Sequence, residues 1–454
     1  MSFGLDVRNG AGLGLGSIPS LKNAPAYAPL NLKFTDTTTL DSSVTFTRST
    51  TATYVDSTGL VKTAAINAPR FNYDPVTLAS KGLLIEEPRT NLALYSDQIN
   101  NVTWVKAGGT VTTDATTAPD GTVSAELLVE DTSTGGHSVT QSIVGLPDST
   151  VYTVSAYVKP NSRSWIAVSF ADKANVNNRV WYNITTGTQG TTNGTVTAFS
   201  AVAAGNGWYR ISVSASTGTG VSVPALRFSL GSADNTASYT GNGTSGAFIW
   251  GTQVELGAFS TSYIPTTTLS VARTADNASI TGSAFSSWFN ATSGTMFAQF
   301  QYNSLNSATP GRIFTITDGT TNNYLNLYQE STTSFAGSVQ VAGVSQALLP
   351  AIAPPNTSIN KIALSYAANN FAAAGNGGTV ATDTSGTIPT VDRAVIGARE
   401  DGSAAYLNGH ILQIAYYPRV LTPAALQSIT IQGLRHGRYK NLRTSSRNPP
   451  ADWL

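Results

Sequence analysis

The sequence predicts an all-β protein: tandem antiparallel β-sandwiches of the jelly-roll type, carried behind an extended N-terminal arm. Three observations point there. Charged residues make up 11 % of the chain while hydrophobic residues stay at 41 %, so Thr, Ser, Asn and Gly stand where charge usually stands. β-Branched and small polar residues suit a pleated, half-solvated surface and its turns. Apolar and polar residues also alternate through segment after segment, and a period of two gives each strand one core face and one solvent face.

Taken in order, residues 1–30 are rich in Gly, Ala and Pro and lack periodicity. RNGAGLGLGS has neither a preceding strand nor the spacing of a dinucleotide loop, so these residues read as an extended anchoring arm. Residues 31–90 hold short strand-like pieces, NLKFTD, SVTFTRST and ATYVDSTGLVKTA, with DSTG as a hairpin turn. They read as a short-stranded β junction segment. Residues 91–267 show six strand signals: VYTVSAYVKP, SWIAVSFAD, RVWYNITTGT, GWYRISVSAS, ALRFSLGS and AFIWGTQVELG. Their spacing predicts the first sandwich. ARTADNASI near residue 275 reads as a connector. Residues 268–433 carry a second β-rich block, from TMFAQFQYNS to HILQIAYYPRVL, closed by the helix LTPAALQSI with Thr422 as N-cap and Pro423 in its first turn. Residues 434–454 carry five Lys/Arg against one Asp, either a solvated basic tail or a docking strip against an acidic neighbour.

Composition excludes several function classes. At 454 residues the chain is too long for one ordinary core. A net charge of +1 supplies no field for nucleic acid. With no Cys, and with His137, His410 and His436 far apart, thiolate chemistry and a His-based metal site are not expected. No apolar run reaches the roughly 18 residues of a bilayer span, so no membrane insertion is expected, and the N-terminus lacks the pattern of a signal peptide.

FTRSTTATYVDSTGLVKTAAINAPRFNYDP leading into GLLIEEPRTNLALYS resembles a run found in tailed-bacteriophage structural proteins. Thr103-Trp104, YTVSAYVKP, NGWYRIS and FIWGTQVELGAFSTSYIPT resemble a carbohydrate-binding-module jelly roll of the family 4/9 type. RTADNASI looks like the exit from that module. GTMFAQFQY, AVIGAREDG and LNGHILQIAYYPRVLTPAAL are similar to a laminin-G or concanavalin-like sandwich. The resemblance implies a non-enzymatic virion surface component, a tail fibre or appendage or a capsid fibre or decoration, assembled in host cytoplasm. Its implied partners are other virion proteins through the arm, further copies of itself as a homotrimer, and a host surface glycan.

A depolymerase needs two carboxylates about 5–10 Å apart around one bond. Glu86 and Glu87 are adjacent, but strand neighbours point to opposite faces and Pro88 ends the ladder. Arg70 or Arg89 is the expected partner of one of them. Glu255 falls on the polar face of FIWGTQVELG, with Gln253. Asp318-Gly319 and Asp401-Gly402 read as turns; either could supply calcium ligands, yet no cofactor is expected. No G-x-S-x-G elbow is present, so no catalytic residue is assigned. A glycan-binding role rests on stacked aromatic rings with a few polar groups. The candidates are Trp165, Arg179, Trp181 and Tyr182, with one of the Trp181/Tyr182 pair expected in the core and the other exposed. Trp208 reads as core, and Tyr324, Tyr328 and Tyr406 are the corresponding rings of the second block.

Overall fold

Strand pairing in the computed structural model, which describes residues 28–304, 311–331, 334–350 and 356–432, sorts the chain into stacked antiparallel sheets. The arm, except for its last three residues, and the whole basic tail lie outside the described residues.

The first sandwich is built from two six-stranded sheets. One runs Thr188–Asn193, Asn177–Asn183, Trp165–Ala171, Ala225–Gly231, Ser138–Ser142, Val105–Ala107. The other runs Ala198–Ala203, Tyr209–Ser216, Val151–Asn161, Gly246–Leu256, Val123–Glu130, Gly109–Thr117. Between them lies a core that includes Val154, Ile166, Phe170, Tyr182, Phe228 and Ile249. All six sequence signals are strands. The further strands around them are richer in Thr and Gly, and their weaker alternation hid them.

Strict alternation fails in Gly246–Leu256. Gly251 takes φ +62 and the register slips between Ser155 and Tyr157 of the neighbouring strand. Ile249 and Val254 therefore both reach the core, which a strict period of two would forbid. Bulges of this kind re-aim the side chains beyond them.

The second sandwich draws on both ends of the chain. Its larger sheet includes Asn360–Ala367, Ser293–Tyr302, Gly409–Tyr417, Ser80–Ile85 and Phe71–Tyr73, with Leu30–Lys33 also on Gly409–Tyr417. Its other sheet begins Thr45–Thr47, Asn277–Thr281, Arg393–Ile396 and continues through Arg312–Thr317 to Val344–Leu349. The segment 31–90, which reads alone as a junction, thus supplies strands to both sheets of this sandwich. Residues between Arg89–Asn91 and Val271–Arg273 leave it and return, and those two strands pair. The hairpin at DSTG forms as Ala52–Val55 and Val61–Ala64. The helix Pro423–Thr430 starts where expected, Thr422 accepting the amide N–H of Ala425. Among the described residues no helix is long and apolar enough to cross a membrane.

Where the sandwiches meet, five charged side chains are buried together. Arg48 pairs with Asp276 at 3.0 Å, Arg70 bridges Asp276 and Glu86, and Arg273 pairs with Glu86. The backbones lock as well: Glu86 N–H donates to Asp276 Oδ2 and Asp276 N–H to the Glu86 carbonyl. ARTADNASI is therefore no passive connector: Arg273 ends the strand Val271–Arg273, and Asp276 directly precedes the strand Asn277–Thr281. Burial alone would push the Glu86 carboxyl up, but Arg273, Arg70 and Ser262 outweigh it and hold it well below the usual carboxylate range.

Removing one partner from a buried pair strands the other charge, at a cost of about 3–5 kcal/mol. Asp276→Asn is expected to lose about that much in urea unfolding, whereas Glu87→Gln, at the half-exposed end of the cluster, loses about 1 kcal/mol. Equal losses would show that the buried network is not the clamp.

Glu126 behaves oppositely. Burial, aided by Asp97 and Asp114 and opposed by the Asn100 N–H, pushes it up to about 7. A carboxyl raised above its unfolded value favours the fold fully below about pH 4.5 and loses that contribution as pH rises through about 7. Glu126→Gln should therefore gain about 2 kcal/mol on the native chain between pH 4.5 and pH 8, read by urea unfolding at both values. A constant difference would exclude this carboxyl as the source.

Candidate glycan-binding face

The sheet that begins Thr188–Asn193 shows its second face away from the first-sandwich core. Ile166, Val168, Phe170, Val180, Tyr182, Leu226 and Phe228 point into that core, so the residues between them point out. The outer set comprises Trp165, Ser169, Arg179, Trp181 and Arg227, with Gly231 at the strand end. Register aligns them: Ser169 is opposite Arg179 on one side and Arg227 on the other, Ala167 opposite Trp181, and Trp165 opposite Gly231. The two arginines are two strand spacings apart, roughly 10 Å at the backbone.

Three of the four candidate residues, Trp165, Arg179 and Trp181, thus share one face. Tyr182 does not. It is fully buried on the inner side and its hydroxyl donates to the Ser212 carbonyl at 2.7 Å. Its neighbour Trp181 faces out as alternation demands, yet it too is fully covered, against the expectation that one ring of the pair would be exposed. The cover is tertiary. A Cβ on Gly231 would sit in contact with the tip of the Trp181 ring and 2.9 Å from the Ala233 carbonyl. The chain after Gly231 therefore folds back over the indole. Asp234 fastens that loop by accepting the Thr191 N–H at 2.9 Å and its hydroxyl at 2.9 Å. Arg179 completes the cover, its guanidinium 6.0 Å from the Trp181 ring centroid.

The electrostatics of this face are unusual for so charge-poor a chain. Arg179 donates to Asn193 Oδ1 at 3.1 Å and Arg227 to Thr140 Oγ1 at 3.0 Å. Among the described residues neither guanidinium has a carboxylate partner. Burial, and then Arg227, lowers the Arg179 pKa, although a guanidinium stays charged. The Trp181 indole N–H is buried without an acceptor. Trp165 remains half-buried and is the accessible ring. Arg227 and Gly231 are the residues of this face that sequence reasoning missed. Their signal was cross-strand register, which becomes visible only after pairing.

The other candidates are placed differently. Trp208 is core, its indole N–H on the Thr117 carbonyl. On the outer face of the second sandwich Arg312 stacks 4.6 Å over Tyr328 and pairs with Glu400, which also accepts from Asn326. Tyr324 donates to Gln340 and the buried Tyr406 to the Gly402 carbonyl. Polar groups there are mostly spent on one another.

Glu86 and Glu87 are spent too, Glu87 on Arg89 and Asn408. Glu255 is fully buried and accepts from Gln253, the Thr261 N–H and the Thr261 hydroxyl. Asp318 and Asp401 anchor the turns they begin, Asp401 pairing also with Arg399. Among the described residues no three His, Asp or Glu side chains gather as metal ligands.

No family model and no curated protein matches this chain. Its structural likenesses include the CBM40 module of the Ruminococcus gnavus IT-sialidase bound to α2,3-sialyllactose, at 19 % identity over 33 % of this chain and 87 % of that one, TM-score 0.29. A SAP-like pentraxin from Limulus polyphemus shares 16 % identity over 31 % and 70 %, TM-score 0.25. Mouse laminin α1 domains LG4–5 share 9 % over 64 % and 90 %, TM-score 0.23. At these values no residue or ligand is carried from them to this chain.

Gly231→Ala tests the geometry of the face. Its Cβ has no room beside Trp181, so the indole must move, at about 1–3 kcal/mol and with a changed tryptophan emission. An unaltered spectrum would mean that the ring does not lie where described.

Proposed function

We propose that this chain is a non-enzymatic, surface-displayed binding protein that holds a saccharide on the outer face carrying Trp165, Arg179 and Arg227. One observation supports it above the rest: two guanidiniums without carboxylates flank Ser169 on a sheet face, and the accessible Trp165 indole lies four residues along the same strand, roughly 13 Å away. A ring that stacks on a pyranose and cations that take its oxygens are the usual elements of sugar recognition. The covered Trp181 acts beneath them, setting the floor of the face.

The setting is a tailed-phage virion, as tail fibre, appendage or capsid-surface fibre, with adhesion to a host glycan as the role. That part rests on the sequence resemblance. The arm would anchor the chain to other virion proteins, and a homotrimer would bury a surface that costs little desolvation because it carries little charge.

A glycan array with the full chain tests the face. Binding is expected, and Trp165→Ala or Arg227→Ala should weaken it about tenfold or more while Tyr324→Ala leaves it unchanged. If both first-sandwich variants bind like the parent, the face is not the site. If the parent binds no glycan, the purely structural role stands instead.

A further inference from the structure

Between the two sandwiches lies a cleft of 480 Å³. One wall is the outer side of the sheet that contains Val151–Asn161 and Tyr209–Ser216, with Tyr157 and Arg210. The other is the edge of the second sandwich, with Lys81, Tyr302 and His410. No element of the face described above enters it.

Several of its buried polar groups are donors without acceptors. His410 shows this most clearly. Asn72 Oδ1 accepts the Val55 N–H at 2.7 Å, so the amide NH2 must be the group 2.8 Å from His410 Nε2. Nε2 is then an acceptor, and the proton of this neutral imidazole sits on Nδ1. That N–H is buried without a partner, in a residue only 1 % exposed.

Lys81 lines the same cleft and makes no hydrogen bond or ion pair among the described residues; Asp74 acts on it only at longer range. Lys81 is close enough to His410 to help keep that ring neutral, after burial itself. Across the cleft Arg210 lies 5.3 Å over the Tyr157 ring, touches Ser155 Oγ with one amino group, and leaves its Nε–H unsatisfied. Glu86 is the one carboxylate in the lining, and its oxygens belong to Arg70, Arg273 and Ser262. Buried donors in native proteins are normally paired, so a cleft that leaves the His410 and Arg210 N–H groups and the Lys81 ammonium unpaired suits a ligand that brings acceptors.

We infer that this cleft is a second binding site, for an acidic sugar unit bearing a carboxylate or sulfate. Lys81 takes the anionic group beside the His410 Nδ1–H, while Arg210 donates to the ring oxygens. Tyr54, Tyr157 and Phe199 provide apolar walls against which a pyranose packs. A cavity of this volume lies in the range of small-ligand sites. A neutral sugar would fill the space and leave the ammonium without a counter-charge, so selectivity for the acid follows from the lining.

The test is titration calorimetry on the full chain with sodium glucuronate, glucose 6-sulfate and neutral methyl glucoside. Both anions should bind, and methyl glucoside about tenfold more weakly or not at all, as expected for loss of a charge-assisted contact. Lys81→Met should weaken glucuronate about tenfold, while Trp165→Ala leaves it unchanged. Should Lys81→Met fail to fold, Arg210→Gln probes the opposite wall and should also weaken both anions. Equal affinity for methyl glucoside, unchanged binding in a folded Lys81→Met, or no heat from either anion would each overturn the proposal. Loss in Trp165→Ala instead would move the anion site to the sheet face.

Discussion

The buried cluster of Arg48, Arg70, Arg273, Glu86 and Asp276 is the constraint on which the rest of the structure depends. Taking a charge out of water costs several kcal/mol, and only well-placed partners repay it. Three guanidiniums face two carboxylates in direct contact, with Glu255 adding a third negative charge near Arg273 at longer range. The members come from five separate stretches: the strand end at Arg48, the turn at Arg70, the Glu86 strand, the Ser262 loop and the Arg273–Asp276 segment. None of these stretches can shift without exposing a partner to burial alone. The cluster thereby fixes where the inserted sandwich leaves and re-enters the other one.

The same cluster shapes what the protein can bind. It takes up the carboxylate at the back of the cleft and leaves unpaired donors in the lining. Arg89 shows the same economy at its edge, paired with Glu87 and stacked 4.6 Å over Phe259 of the inserted sandwich. In a chain with 11 % charged residues, several buried ionic groups are matched locally, as Glu130 is with Arg163. Among the cations without an ion pair, Arg179 and Arg227 lie on the sheet face and Lys81 and Arg210 in the cleft. Both proposed sites follow from those cations together with aromatic rings close by.

Several features were legible from residue order. Alternation identified the strands with bulky apolar residues, DSTG the hairpin, and Thr422-Pro423 the helix start, because each is set by contacts within a few residues. Adjacency of Glu86 and Glu87 on a strand already argued against a convergent pair, and the arginines nearby proved to be their partners. The site was legible only in part. Period two puts Arg179 and Trp181 on one side of their strand, but Trp165 and Arg227 join them only through strand pairing, and the cover on Trp181 comes from a loop some fifty residues further on.

By itself, then, the sequence determined the all-β class, the strand faces and the scarcity of charge, since side-chain alternation and turn chemistry act over short range. Only the tertiary structure decided that residues 31–90 belong with the C-terminal strands, that ARTADNASI carries two of the five members of a buried ion cluster, and that a cleft with unpaired donors separates the sandwiches. Those outcomes depend on which distant strands pair and which charges share a low-dielectric interior, and a local pattern holds no record of either.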